Sequence, residues 1–178
     1  MTRATGPRRV RGASRVGAGG TLGLRALPGR LAGPWRVAVA EASMTPSIQP
    51  GDWLLVDPTV ARWPRRGAVV VFREPGSDDL AIKRVAGRPG DWVPFAGAWL
   101  RLGDDEAWLL SDADDAALAE AGHGRAVDSR AYGPVPVGAL VGRAWFRYWP
   151  GCRIGRLPGG RASGSGVRGQ GPAARREG

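Results

Sequence analysis

The chain has 178 residues and a formal net charge of +10, which allows one domain of ordinary size with basic extensions. Residues 1–36 carry eight Arg and no acid, and residues 151–178 carry six Arg and one acid, whereas the stretch between them is slightly acidic. A single cysteine, Cys152, excludes an intrachain disulfide and a cysteine metal cluster, and no apolar run is long enough to predict a transmembrane helix.

Residues 1–33 and 151–178 are predicted to be disordered basic arms, because they are rich in Gly, Ala and Arg and have no apolar periodicity. We expect their charges to be solvated. Weak contact with an anionic membrane or with nucleic acid is the alternative, since Arg-rich segments attract phosphates. The N-terminal arm has the arginines of a secretory signal but no apolar segment, so the sequence predicts a cytoplasmic or peripherally membrane-associated protein.

Residues 34–150 are predicted to form the folded domain, built from short strands between turns. The apolar run over 68–73 is typical of a strand buried on both faces. Strands at roughly ten-residue spacing with little helix favour an all-β fold, an antiparallel sandwich or partly open barrel with one short helix. In chain order the predicted strands cover 35–42, 52–57, 68–73, 80–86, 91–95, 99–102, 108–110 and 137–149, and the helix covers 112–121.

Lys83 is the only lysine among 26 basic side chains, and it lies in an apolar stretch that begins at Leu80. A buried lysine can lose its proton because desolvation penalises the charged form, whereas an arginine stays charged. Lys83 is therefore a candidate general base. The alternative is a lysine that survives by chance in an Arg-rich chain.

Ser43 follows a predicted strand and begins a turn that contains Pro46. This position can present the hydroxyl at an exposed corner, where the Ser43 backbone N–H can help to form an oxyanion hole. An ordinary turn serine is the alternative interpretation.

Four segments resemble, in order, the sequence boxes of the type I signal peptidase family, peptidase S26. They are SMTPSIQPGD over 43–52, RGAVVVF over 66–72, KRVAGRPGD over 83–91 and DSRAYGPV over 128–135. Together they span most of the predicted domain. The resemblance implies a fold shared with signal peptidases and LexA-like proteins, and a serine endopeptidase that needs no metal or cofactor.

The resemblance also implies the roles of particular residues. Ser43 attacks a peptide carbonyl, Lys83 takes its proton, and the Ser43 N–H contributes to the oxyanion hole. Asp128, Ser129 and Arg130 support the site, with Asp128 and Arg130 paired. The implied partner is a protein precursor with an N-terminal leader and small side chains at the cleavage site, bound as an added strand between residues 39–42 and 80–83.

The chain departs from the family pattern at several places. Glu41 stands where many relatives have Ser or Gly, and Ala126 replaces a hydroxyl residue that orients the lysine. The triplet Gly-Asp-Asn appears as residues 111–113, Ser-Asp-Ala. The sequence also lacks an N-terminal membrane anchor, which is similar to the soluble maturation proteases of nickel-type superoxide dismutase.

Two other functions fit parts of the sequence. A self-cleaving repressor of the LexA kind shares the Ser–Lys pair and the β-fold, but Pro46 and the box over 83–91 favour signal peptidases. A non-catalytic protein that binds nucleic acid or membrane through its basic arms is the second alternative.

Overall fold

The computed structural model describes residues 33–77, 79–120, 122, 124–125, 127–160 and 166–169. Its strands are β1 (Trp35–Ala38), β2 (Trp53–Asp57), β3 (Val69–Arg73), β4 (Leu80–Gly87), β5 (Trp92–Phe95), β6 (Ala98–Arg101), β7 (Glu106–Leu110), β8 (Val135–Pro136), β9 (Leu140–Trp149) and β10 (Gly155–Arg156). Eight of them form one antiparallel sheet in the order β1-β2-β9-β3-β4-β7-β8, with β10 paired to β9. β5 and β6 form a separate hairpin. The all-β prediction is confirmed, and the sheet is open rather than closed into a barrel.

Helix is scarce, as the sequence predicts, but there is more than one helix. α1 (Asp115–Glu120) lies inside the predicted helix and is shorter than it. α2 (Ser129–Tyr132) was not predicted, because its four residues are too few to show a helical period. Among the described residues, no helix is long and apolar enough to cross a membrane.

β3 and β4 lie at the centre of the sheet and are buried on both faces, which confirms the prediction for the apolar run. Alternate side chains of a strand point to opposite faces, so the two strands contribute to two different clusters. Cluster one contains Val37, Val39, Met44, Ile48, Leu54, Val56, Val69, Val71, Ile82 and Ala144. Cluster two contains Trp63, Val70, Phe72, Ala81, Val85, Ala107, Leu109 and Val135.

The ordered chain continues past residue 150, where the sequence analysis ended the folded domain. β10 pairs with the second half of β9, where Gly155 lies opposite Arg147. Leu157 packs against cluster one, and the Pro158 carbonyl accepts a hydrogen bond from Arg84. Residues 151–160 therefore belong to the folded unit, which corrects the predicted disorder for this part of the tail. Arg168 pairs with Trp92 of β5 through two backbone hydrogen bonds, which also corrects the predicted disorder for residues 166–169. Residues 1–32, 161–165 and 170–178 lie outside the described residues, so their disorder and their contact with anionic partners stay predictions.

Candidate active site

Ser43 lies in the loop between β1 and β2, which folds back over cluster one. Met44 and Ile48 are fully buried in that cluster, and the Ile48 N–H donates to the Met44 carbonyl at 2.9 Å. Thr45 closes a tight turn, since both its N–H and its hydroxyl donate to the Ala42 carbonyl. The buried side chains on one side of the loop thus leave Ser43 partly exposed on the other.

The far end of the same loop is fixed by a buried carboxylate, Asp52. Its oxygens accept from the Gln49 N–H at 2.9 Å and from the guanidinium groups of Arg147 and Arg153 at 3.1 Å each. Arg147 also donates to the Ser47 carbonyl at 2.9 Å. The loop that carries Ser43 is therefore held by charged groups from β9 and from the segment after it.

Lys83 is fully buried, with 0% of its surface exposed, on the cluster-two face of β4. It lies directly opposite Val70 of β3, and Val85 and Phe72 line the same face. Among the described residues, Lys83 Nζ makes no hydrogen bond. The only lysine of the chain is therefore placed in an apolar environment with its amine unpaired.

Burial is the main influence on the Lys83 amine and lowers its pKa. The carboxylates of Asp128, Glu74 and Glu41 act in the opposite direction, in that order of strength, and the Arg130 guanidinium adds slightly to the lowering. Because desolvation outweighs the attraction of the carboxylates, the neutral amine is favoured over the ammonium relative to a lysine in water.

Asp128, Ser129 and Arg130 form a compact group at the start of α2. Asp128 is the N-cap and is fully buried, and it accepts from the Arg130 N–H, Nε and Nη2 at 3.0, 3.0 and 2.8 Å. The Ser129 hydroxyl accepts from the Leu109 N–H at 2.9 Å. Burial alone would raise the pKa of Asp128, but the hydrogen bonds from Arg130 and from the Ser111 N–H hold it below its usual range.

The residue after β7 joins this group to the rest of the site. The Ser111 N–H donates to Asp128 Oδ2 at 3.0 Å, and two residues later the Ala113 N–H donates to the Ser43 carbonyl at 3.1 Å. The segment 111–113 thus touches both the Asp128 group and the Ser43 loop, and Asp128 in turn is the carboxylate that most attracts Lys83. These contacts and charges link Ser43, the Asp128 group and Lys83 through intermediate residues.

Sequence reasoning missed Glu74, a buried carboxylate on the same side of β3 as Lys83. Burial raises the pKa of Glu74, and Lys83 acts against that shift. The alternation of side chains along β3 could have identified Glu74, because Glu74 continues the series of buried residues Val70 and Phe72 on one face. The following Pro75 and the polar residues after it made Glu74 look like part of a surface turn.

A cavity of about 420 Å³ lies elsewhere on the molecule and does not contain the candidate dyad. Arg65, Arg66, Arg143 and Trp145 line it, together with glycines near residue 160. None of its lining residues belongs to the Ser43 loop or to β4. The site described above is therefore distinct from this cavity.

Comparisons with known proteins identify a family and several similar proteins. A family model described as signal peptidase, peptidase S26, matches residues 30–119, about half of the chain. The chain is 33% identical to the mitochondrial ATP-independent inner membrane protease subunit 1b of Arabidopsis thaliana, over 65% of this chain and 70% of that protein. It is 30% identical to signal peptidase I of Leptolyngbya laminosa, over 68% of this chain and 75% of that protein. It is also 32% identical to the mitochondrial inner membrane protease subunit 2 of Danio rerio, over 67% of this chain and 66% of that protein.

Proposed function

The chain belongs to the signal peptidase family, peptidase S26, and we propose that it is a serine endopeptidase that removes an N-terminal leader from a protein precursor. Ser43 is the nucleophile and Lys83 the general base. The observation that carries this assignment is the sole lysine, which is fully buried with an unpaired amine. A structural cation would be expected to have its donors satisfied.

The chemistry follows from these two groups. Lys83 takes the proton of the Ser43 hydroxyl as the Ser43 oxygen attacks the peptide carbonyl. The ammonium of Lys83 then gives that proton to the leaving amine, and an ester links Ser43 to the leader. A water molecule, deprotonated by the same amine, hydrolyses the ester and restores Ser43. One neutral amine thus does the work that a histidine does in other serine peptidases.

The Ser43 N–H is suited to stabilise the oxyanion that forms in each step. Among the described residues no hydrogen bond uses this N–H or the Ser43 hydroxyl. Both can therefore turn toward a substrate carbonyl without breaking a bond of the protein. The Ser43 carbonyl accepts a hydrogen bond from the Ala113 N–H, which limits rotation of the peptide unit between Ser43 and Met44.

Asp128, Ser129 and Arg130 support the base in this proposal. Asp128 holds the segment after β7 through the Ser111 N–H, and Ser129 holds β7 itself through the Leu109 N–H. Arg130 neutralises Asp128, so that the carboxylate attracts Lys83 less than an unpaired one would. The pKa of the amine is thereby kept lower than it would be beside an unpaired carboxylate.

The substrate is proposed to add a strand next to residues 80–83. Within the described part of the chain, the ladder between β4 and β7 begins at Arg84, so the preceding residues of β4 have one side without a strand partner. Residues 39–42 lie at the start of the Ser43 loop and form the opposite wall. An extended leader bound there would pass its scissile bond beside Ser43.

The proposal is tested with the full-length chain and a model precursor whose apolar leader ends in Ala-Xaa-Ala. We expect cleavage by the wild type and none by Ser43→Ala, Lys83→Met or Lys83→Arg, because arginine cannot lose its proton. Ser47→Ala is the matched control in the same loop, since only the Ser47 carbonyl is used for loop anchoring. Unaltered cleavage by Lys83→Arg would exclude Lys83 as the base.

The same assay separates the alternatives. A self-cleaving repressor would cut its own chain at a rate independent of protein concentration and leave the precursor intact. A binder that acts through its basic arms would show no Ser43-dependent cleavage of either protein. The substrate subtype, a general secretory leader or the leader of a nickel-type superoxide dismutase, stays a prediction that the two precursors tested side by side would decide.

A further inference from the structure

Ser111 lies directly after β7, next to the strand that carries Lys83. In the antiparallel register of β4 and β7, Arg84 pairs with Leu110. Continuing that register by one residue sets Ser111 across from Lys83. Directly opposed residues share a face of the sheet, with Cβ atoms about 5 Å apart. The Ser111 hydroxyl is therefore within reach of the Lys83 side chain.

Ser111 and Lys83 share a property with two other described residues, Glu74 and Tyr132. Ser111 Oγ and Lys83 Nζ are both fully buried, and within the part of the chain that the structure describes neither makes a hydrogen bond. A buried polar atom without a hydrogen-bond partner destabilises the fold. Two such atoms at opposed positions each gain a partner by bonding to the other. One is an amine with N–H donors, and the other is a hydroxyl oxygen with lone pairs.

Asp128, the carboxylate that most attracts Lys83, cannot easily take the place of Ser111. Its two oxygens already accept four hydrogen bonds, three from Arg130 and one from the Ser111 N–H. A carboxylate has about four lone-pair sites, so those of Asp128 are used. Asp128 therefore acts on Lys83 through its charge and not through a hydrogen bond.

Glu74 is another candidate acceptor and is worse placed than Ser111; the Tyr132 hydroxyl is also buried without a hydrogen bond among the described residues. Glu74 Oε1 is buried and makes no hydrogen bond among the described residues. Glu74 stands four residues beyond Val70, the residue opposite Lys83, which is about 13 Å along the strand. An ionised Glu74 in direct contact would also stabilise the ammonium, which a general base must avoid.

We infer that Ser111 is a positioning residue: a rotation of the Lys83 side chain, which is unbonded in this structure, lets Ser111 Oγ accept a hydrogen bond from Lys83 Nζ and turns the amine lone pair toward the Ser43 hydroxyl. The inference rests on the proposed function. A neutral amine has two N–H bonds and one lone pair, so fixing one N–H leaves the lone pair only a narrow range of directions.

The experiment uses the full-length chain with ¹³Cε- and ¹⁵Nζ-labelled lysine. Since Lys83 is the only lysine, the side-chain spectrum contains one lysine signal, and its titration gives the pKa of that amine directly. The variants are Ser111→Ala, Ser111→Thr as the conservative replacement, and Ser47→Ala as the control. The same proteins are assayed for kcat and KM on the model precursor.

For Ser111→Ala we expect kcat to fall about tenfold to a hundredfold with KM changed less than about twofold, because the base is misdirected while the substrate is still bound. The pKa of Lys83 should fall by about half a unit, since a hydroxyl acceptor stabilises the ammonium more than the amine. Ser111→Thr should retain the wild-type kcat and the wild-type pKa of Lys83. Ser47→Ala should match the wild type in both quantities.

Two results would overturn the inference. One is a Ser111→Ala protein with the wild-type kcat and the wild-type Lys83 titration. The other is a Ser111→Thr protein that loses as much as Ser111→Ala, which would mean that packing and not the hydroxyl matters. If the wild type cleaves no precursor, the proposed function fails, whereas the Lys83 titration still decides whether Ser111 contacts the amine.

Discussion

Lys83 and Arg84 are neighbours on β4 and are buried to the same extent, with 0% and 1% of their surfaces exposed, yet their surroundings differ. On one face of the sheet, the Arg84 guanidinium donates two hydrogen bonds to Asp112, one to the Gly67 carbonyl and one to the Pro158 carbonyl. On the other face, the Lys83 amine makes no hydrogen bond to any described residue.

The difference follows from what each side chain can do with its proton. Arginine stays charged, so a buried Arg84 requires acceptors and a counter-ion, and it becomes a structural cation. Lysine can become neutral, so a buried Lys83 tolerates an apolar environment and becomes available as a base. Two adjacent basic residues thus separate into a structural and a chemical role.

The largest effect that this comparison predicts is on stability. Arg84→Met removes the guanidinium from the buried carboxylate of Asp112, and we expect the free energy of unfolding to fall by about 3–5 kcal/mol. Lys83→Met removes an unpaired polar group, so the free energy of unfolding should stay the same or rise while cleavage is lost. Urea unfolding of both variants measures this, with the exposed Arg88→Met as the control. Equal destabilisation by the two variants would show that Lys83 is also structural.

A smaller effect concerns the pH dependence of stability. Between the lowered pKa of Lys83 in the folded chain and its ordinary value of 10.5, the unfolded chain binds more protons than the folded one. The free energy of unfolding should therefore rise with pH in that window, by at most about 1.4 kcal/mol per pH unit. Four nearby charges also act on this amine, namely those of Asp128, Glu74, Glu41 and Arg130. The contribution of Lys83 is therefore measured as the difference in the free energy of unfolding between the wild type and Lys83→Met at each pH. Parallel curves for the two proteins would contradict it.

The smallest predicted effects are opposite shifts of the activity profile. Glu74→Gln removes an attraction for the ammonium, so the pH of half-maximal kcat/KM should fall. Arg130→Gln removes a repulsion on the Lys83 ammonium and leaves the Asp128 carboxylate less neutralised. The pH of half-maximal kcat/KM should therefore rise for this variant. We expect each shift to be about one pH unit or less. Glu120→Gln, on the exposed surface of α1, is the control, and shifts of the same sign would contradict this electrostatic description.

The sequence predicted the sheet well because its strands are apolar or alternating and are separated by turn residues. β3 is the clearest case, with four consecutive buried residues that match the apolar run. β10 could not be found this way, since Gly155 and Arg156 have no apolar pattern. It is held by its pairing with β9 and by Leu157 beyond it, which are contacts that depend on the tertiary fold.

The candidate site also contains residues that the sequence predicted and residues that it did not. Ser43, Lys83 and the group at Asp128 came from the resemblance, since short ordered motifs are visible in a single sequence. The pair of Arg84 and Asp112 was not predicted, because its members lie 28 residues apart and nothing local connects them. Glu74 and the hydroxyl of Ser111 gain their meaning only from the register of β4 with its two neighbours.

The anchoring of the Ser43 loop has a practical consequence for handling the protein. Arg153 and Pro158 lie more than a hundred residues after Ser43. Arg153 binds Asp52 at the end of the Ser43 loop, and the Pro158 carbonyl accepts a hydrogen bond from Arg84, the neighbour of Lys83. Proteolytic trimming back to residue 150 would therefore loosen the Ser43 loop and β4 together and, under the proposed function, reduce cleavage.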